Sequence, residues 1–378
     1  MAEPLRVRDP EVRQVDGEQE VSVMIDDFRL WYRFPEDWPV TIRPEAFLHA
    51  AIVPAMALGR DLEIADDMPI PVGLVEPLDL LQGVHAVWAR KRKKVPWQRV
   101  STRFATTETP SPPVPVRASY FSGGVDGTFT FLDRLEHFSH VIFLRGIDIQ
   151  VDGHELYDEV LRANKTFVEG HGKQVVSAST NIRMMGHHFG LGWNSWNGAG
   201  LCSVAAAFGV ETIYIAAGYT WAELGERGLH PVTIGMRNGG TTRMVSHGDE
   251  TERTDKLRRI ASEPGVLDIL RVCWQDKGYN CGTCEKCLRT MLALELLELK
   301  APNFPPLPPL GVIAREPIHD QSGLIYSDEL RRIAVATGRH DIAKALSRPI
   351  RRYRLRQLVK QVDADLLGGR LRRLGSRG

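Results

Sequence analysis

The stretch that most constrains the fold is Ala118-Ser119-Tyr120-Phe121-Ser122-Gly123-Gly124-Val125-Asp126-Gly127-Thr128-Phe129-Thr130-Phe131-Leu132. An apolar run ends in Ser-Gly-Gly and passes at once into a helical pattern. Paired glycines let the backbone turn sharply and bring bare N–H groups close to an anion. The helix that follows offers its unpaired N–H groups and the positive end of its dipole to the same point. Ser122 and Thr128 add hydroxyl donors, and Asp126 is placed to hold Mg²⁺ or to orient a ligand. The string is not Gly-x-x-x-x-Gly-Lys-Ser/Thr, the other common phosphate loop, which occurs nowhere in the chain. A strand-turn-helix corner without a ligand uses glycine in the same way, so the rest of the sequence has to decide.

From Arg117 to about Leu270, strand and helix patterns alternate as a doubly wound parallel α/β sheet requires. Strands are predicted over 117–121, 140–145, 174–177 and 212–216, with helices over 128–136, 155–170 and 198–208 between them. Ligands of such sheets bind beyond the carboxyl ends of the strands. That rule aligns Ser122-Gly123-Gly124, Arg145-Gly146, Ser179-Thr180-Asn181 and Ala217-Gly218 along one rim.

Ahead of this region, residues 1–20 are charged and read as loosely ordered. Segments 21–25 and 28–34 alternate well enough for two strands joined at Asp26-Asp27. A buried helix over 46–58 is opened by Pro44 and kinked at Pro54. A short strand at 62–64 and a helix at 78–88 complete a smaller α/β unit, and the basic run Lys91-Arg92-Lys93-Lys94 reads as solvated surface. The Pro-rich segment 110–115 marks the expected boundary. Three units result: an N-terminal domain over 1–115, a catalytic domain over 116–300, and a helical extension with a basic tail over 301–378.

Lys256 belongs to a charged helix predicted near 252–262, and further helices are expected over 288–299 and 327–361. From Ser347 onward the chain carries ten Arg/Lys against two Asp. That tail fits a solvated helix end or a self-association arm giving a homodimer; nucleic acid is the lesser reading, because no aromatic stacking pattern accompanies the charge. The formal net charge of the whole chain is only +1, which argues against a polyanion partner. No apolar run is long enough to span a bilayer, and the N-terminus lacks the apolar core of a signal peptide. A cytoplasmic, reducing compartment is therefore expected, with the five cysteines acting as thiols or metal ligands.

Four of those cysteines, Cys273, Cys281, Cys284 and Cys287, fall within fifteen residues. Their number and spacing suit a closed tetrahedral zinc site of structural type. Four thiolates also suit an iron–sulfur cluster. Lys277 and Lys286 would offset the thiolate charge.

The Ser122-to-Thr128 loop resembles the Ser-Gly-Gly-x-Asp-Ser/Thr loop of the PP-loop ATP pyrophosphatases. Three further features follow it in order: Thr180-Asn181-Ile182-Arg183, the small-residue run Asn197-Gly198-Ala199-Gly200, and the Cys-x₇-Cys-x₂-Cys-x₂-Cys motif. Together they resemble 7-cyano-7-deazaguanine synthases over about residues 117–295. The resemblance implies a Rossmann-like PP-loop domain that binds ATP and Mg²⁺, with a structural zinc. It implies an AMP-forming ligase that adenylates a carboxylate or amide oxygen of a small acid, releases pyrophosphate and installs nitrogen from a donor. ATP would lie against Leu144, Arg145 and Gly146, its phosphates on Ser122, Gly123, Gly124, Val125, Asp126, Gly127 and Thr128, with Thr180, Asn181 and Gly218 on the rim. Asp126, Arg183 and Lys256 would neutralise charge. Residues 1–115 and the tail have no counterpart in that enzyme, and Gly127 stands where the family usually has serine. Two alternatives stay open. One is sulfur transfer to a thiocarbonyl, which commonly uses free cysteines as a relay; here only Cys202 lies outside the metal motif, in a small-residue helix where cysteine is usually core. The other is a non-catalytic nucleotide-binding module. His187, His188, His230 and His247 suit acid–base work in kind, but solvated loops are the preferred reading for all four.

Overall fold

The apolar runs become strands of one ten-stranded sheet in a computed structural model that describes residues 2–92, 97–275 and 277–366. The N-terminal part contains β1 (Leu5–Val15), β2 (Glu18–Ile25), β3 (Phe28–Pro35), α1 (Pro44–Leu58), β4 (Leu62–Ile64), β5 (Ile70–Pro71), α2 (Val75–Arg92), β6 (Thr102–Arg103) and β7 (Thr106–Thr107). The central part runs β8 (Val114–Tyr120), α3 (Val125–Asp133), β9 (His140–Arg145), α4 (His154–Gly170), β10 (Gln174–Thr180), α5 (Ile182–His188), α6 (Trp193–Phe208), β11 (Val210–Ala216), α7 (Pro231–Gly235) and β12 (Arg243–His247). Helices α8 (Arg253–Ile260), α9 (Val266–Ile269), α10 (Glu285–Leu296), α11 (Leu310–Ile313), α12 (Gln321–Ala336) and α13 (His340–Leu366) follow.

Strand order across the sheet is β12-β11-β8-β9-β10-β3-β2-β1-β4-β6, while β5 and β7 pair separately. The five strands from β12 to β10 are parallel. From β8 the chain moves to β9 and β10 on one side, then returns to place β11 and β12 on the other. The order therefore reverses between β8 and β11. In an open α/β sheet the crevice beyond the strand ends at such a reversal is where ligands bind. The Ser-Gly-Gly loop sits there, directly after β8.

The Pro-rich segment 110–115 is not a break in the sheet. β3 pairs antiparallel with β10 through Arg33–Ser179 and Tyr32–Thr180, so the N-terminal strands extend the same sheet. One buried apolar cluster includes Leu5, Phe47, Ile142 and Phe208 alike. The Tyr32 hydroxyl meets Ser203 Oγ at 2.5 Å, and Ser203 donates to the Ala46 carbonyl, tying β3, α6 and α1 together.

Several expectations differ from the observed elements. The expected loose segment over 1–20 is ordered across its described residues: Leu5 and Val7 alternate with charged neighbours and are buried where β1 pairs with β2 and β4. The segment over 327–361 divides into α12 and α13, with Gly338 at φ 74° between them, a conformation natural to glycine. Residues 187–188 end helix α5 instead of lying in a loop. Lys93, Lys94 and the tail beyond 366 lie outside the described residues. Among the described residues no helix is long and apolar enough to cross a membrane.

Candidate functional site

Glycine shapes the loop by close approach. Gly123 adopts φ 74°, and a Cβ there would lie 2.8 Å from Asn164 Oδ1 and 2.9 Å from the Ile269 carbonyl. The loop is thus wedged between α4 and the segment leading to the cysteines, whose Arg271 N–H donates to the Gly123 carbonyl at 3.0 Å. Gly124 caps α3, and the helical bond from Thr128 N to Gly124 O measures 2.9 Å. The N–H groups of Val125, Asp126 and Gly127 precede that bond and have no intrahelical acceptor. Ser122, Gly124, Val125, Asp126 and Gly127 all line one cavity of about 960 Å³.

Beyond the loop, this cavity is cationic. Arg183, Arg253, Arg271, Lys286 and Arg289 line it together with the acids Asp126, Asp148, Glu285 and Asp320. Around Asp126, Arg253 pairs with Oδ2 and Lys256 Nζ lies 3.7 Å from Oδ1. Burial alone would raise the Asp126 pKa, but Arg253, Lys256 and Arg289 outweigh it and hold the carboxyl below the usual range. Asp126 Oδ1 accepts no hydrogen bond. Tyr326 braces this end: its hydroxyl donates to the Gly218 carbonyl at 2.7 Å, and the Arg289 guanidinium lies over its ring at 4.0 Å.

The four thiols of Cys273, Cys281, Cys284 and Cys287 lie within 4.8 Å of one another and can hold a metal ion such as zinc. Cys273 and Cys284 are 4.0 Å apart, Cys281 and Cys287 3.9 Å. A tetrahedral site with Zn–S bonds of about 2.3 Å has S–S edges of about 3.8 Å, so the donor set fits that ion. Cys284 caps α10, accepting from Cys287 N at 3.5 Å. The cluster therefore sits at the root of the cavity wall. Arg271 precedes it by two residues, and Lys286 and Arg289 project from α10.

Of the residues predicted from sequence, Ser122, Gly124, Val125, Asp126, Gly127, Leu144, Arg183 and Gly218 line the cavity, and Lys256 contacts Asp126 from behind. The others do different work. Thr180 donates to the Trp31 carbonyl, while Asn181 accepts from Trp31 N and donates to the Arg29 carbonyl; both pin β3 to the sheet. Arg145 turns to His154 and to the Tyr157 ring. Gly146 permits tight packing, since a Cβ there would strike the Thr180 carbonyl at 1.9 Å. Gly123 shapes the loop without lining the cavity, and Thr128 is wholly buried with Oγ1 unpartnered. Among the histidines, His187 reaches the cavity. His188 meets Asp27, His230 caps α7, and His247 is buried between Thr130 and Asp133.

Sequence reasoning missed Asp148, Arg253, Arg271, Arg289 and Tyr326. Arg253 had a readable signal, lying three residues before Lys256 and so on the same helical face. Arg271 and Arg289 flank the cysteine motif by two residues on either side. Tyr326 had no local signal, for it reaches the cavity only through the packing of α12 on α10. No family model, curated protein or solved structure matches this chain.

Proposed function

We propose that this protein is an AMP-forming, ATP-dependent ligase that activates an oxygen of a small organic acid. The observation that carries the reading is the glycine loop: it opens at the strand-order reversal into a cavity where Arg253 and Arg289 stand beside it. Free helix N–H groups and two guanidinium groups suit the β,γ-pyrophosphate of ATP. The resemblance to PP-loop ATP pyrophosphatases points the same way. Apolar side chains of Ile142, Leu144, Ile147 and Ile215 line the neighbouring strand ends and suit the adenine face.

In the proposed reaction a carboxylate oxygen of the acceptor attacks the α-phosphorus. A new O–P bond forms, the α–β bridging P–O bond breaks, and pyrophosphate leaves with the electron pair. A nitrogen donor then attacks the acyl carbon, and AMP departs with the C–O bonding electrons. Arg253, Arg289 and the loop N–H groups would stabilise the negative charge gathering on the leaving pyrophosphate, a contribution that matters most in a water-poor cavity. Mg²⁺ on the phosphates would supply further neutralisation, and Asp126, ionised and lining the cavity beside the loop, is the carboxylate that would hold it. Lys256 would keep Asp126 ionised and oriented.

Nitrogen delivery is preferred over sulfur delivery because Cys202 is fully buried and burial pushes its thiol up to about 12. Such a thiol is unsuited to a persulfide relay. The test is product analysis with metal-loaded protein, MgATP and a pool of carboxylic acids. Acid-dependent release of AMP and pyrophosphate supports the proposal. ATP binding with no AMP from any acid would leave a nucleotide-binding module instead.

A further inference from the structure

The same cavity holds a second cationic group that the nucleotide reading leaves unused. Asp148, three residues beyond β9, lies 3.3 Å from Lys286 Nζ. Arg183 donates to the adjacent Ile147 carbonyl at 2.6 Å. Arg271 and Arg183 both lie close enough to Asp148 to help Lys286 hold its carboxyl below the usual range against the opposing effect of burial. The charged neighbours of Asp126 are a different set: Arg253, Lys256 and Arg289. Two groups of three cations, each around one carboxylate, thus serve the cavity; all but Lys256 line it, and Glu285 and Asp320 line the same wall.

Arg271 is the informative member. It is 3% exposed, it lines the cavity, and its Nε and Nη2 have no hydrogen-bond partner. A guanidinium cannot shed its proton to escape burial, and buried N–H groups that meet no acceptor are costly even with a carboxylate nearby. The Arg271 backbone N–H holds the Gly123 carbonyl beside the loop, while its guanidinium acts with Lys286 and Arg183 on Asp148 and the Asp126 carboxyl is governed by Arg253, Lys256 and Arg289. The wall of the same cavity also offers neutral amides at Asn194 and Asn197 and the indoles of Trp193 and Trp274. That mixture suits an organic anion better than a bare inorganic one.

We infer that Arg183, Arg271 and Lys286 form a separate carboxylate subsite that holds the acceptor acid. Its role as acceptor site rests on the ligase reading above; its existence as an anion site does not. Two anions brought into one cavity repel each other, and a net positive group for each removes that barrier to their approach. Arg271 is here a binding and positioning residue, set by its place two residues before Cys273.

Calorimetric titration of the full, zinc-loaded chain tests this with benzoate as the probe and benzamide as its neutral counterpart. Benzoate is expected to bind in the absence of nucleotide and to remain bound when MgATP is saturating, while benzamide binds at least tenfold more weakly. Arg271→Gln should weaken benzoate at least tenfold and MgATP less than threefold, and Arg253→Gln should do the reverse. Lys286→Gln, on a half-exposed side chain, provides a second reading if Arg271→Gln does not fold, with zinc content checked for both. Equal affinity for benzoate and benzamide, displacement of benzoate by MgATP, or unchanged benzoate binding in the folded variants would overturn the subsite. If MgATP fails to bind the wild-type chain while benzoate still depends on Arg271, the nucleotide reading falls and the subsite stands.

Discussion

Lys256 Nζ stands 3.7 Å from Asp126 Oδ1 and donates to the Ala217 carbonyl at 2.7 Å. One ammonium group, 1% exposed, thereby joins the loop after β8 to the end of β11, the two strands that flank the strand-order reversal. Lys256→Met preserves the stem and removes both interactions. The Ala217 carbonyl loses a charged donor, which costs about 1–3 kcal/mol. MgATP affinity should fall at least tenfold because Asp126 and the loop lose their common anchor. Urea unfolding and calorimetry check the two effects separately; a stability loss with unchanged MgATP binding would make Lys256 purely structural.

Acid should weaken the fold through Asp126 and Asp148. Their folded pKa values lie below the ordinary carboxylate value of about 3.9. A depressed carboxyl contributes stability that is complete above the unfolded pKa and is lost as pH falls through the folded one. Below about pH 4 each group can therefore steepen the loss by up to about 1.4 kcal/mol per pH unit. Asp126→Asn should be less stable at pH 7, where Arg253 and Lys256 lose their counter-charge, and should show a shallower decline below pH 4. Denaturant unfolding at several pH values reads both, and an unchanged slope would contradict the pairing.

Metal removal should act on the cavity as well as on stability. The thiol cluster fixes the start of α10, which carries Lys286 and Arg289, and the segment that carries Arg271. Chelation, or Cys284→Ser, should lower Tm and weaken MgATP at least tenfold. Re-adding zinc should restore both properties after chelation. A chelated protein that keeps full MgATP affinity would show that the cationic wall is held by packing alone.

How far the sequence discloses this site depends on how local each signal is. The loop and the cysteine motif were legible because each is a short run whose residue types dictate one geometry. Strands β9 and β10 were legible from their apolar runs, and the rim followed from the rule about strand ends. That rule names positions, however, and not where side chains point. Thr180 and Asn181 lie at the end of β10 as expected, yet their polar groups turn to Trp31 and Arg29 because β3 adds to the sheet there. Nothing local to 179–183 encodes that pairing. The same non-local contact carries the sheet across from the N-terminal strands to those after the Pro-rich segment. Tyr326, Arg271 and Asp148 reach one cavity only after three distant stretches have packed.

Gly127 can be tested directly. A Cβ at this position would come no closer than 3.4 Å to the Tyr120 carbonyl, an ordinary contact, and its φ is not in the left-handed region. Gly127→Ser should therefore fold, with a stability gain of at most about 0.5 kcal/mol, since glycine is poorer than serine within a helix. If the loop binds phosphates, the added hydroxyl at the cavity wall should raise MgATP affinity. Loss of binding in a folded variant would mean that the ligand needs the bare backbone.

The most direct test of the ligase account is a trap of the activated acid. Zinc-loaded protein is incubated with ATP carrying isotope-labelled adenosine and a pool of carboxylic acids, with the nitrogen donor withheld, and the quenched mixture is searched by mass spectrometry. The account predicts a labelled species with the combined mass of one acid and AMP less water, accompanied by pyrophosphate and absent in Arg253→Gln. Labelled ADP in place of that species, or bound ATP left intact with every acid, would contradict it.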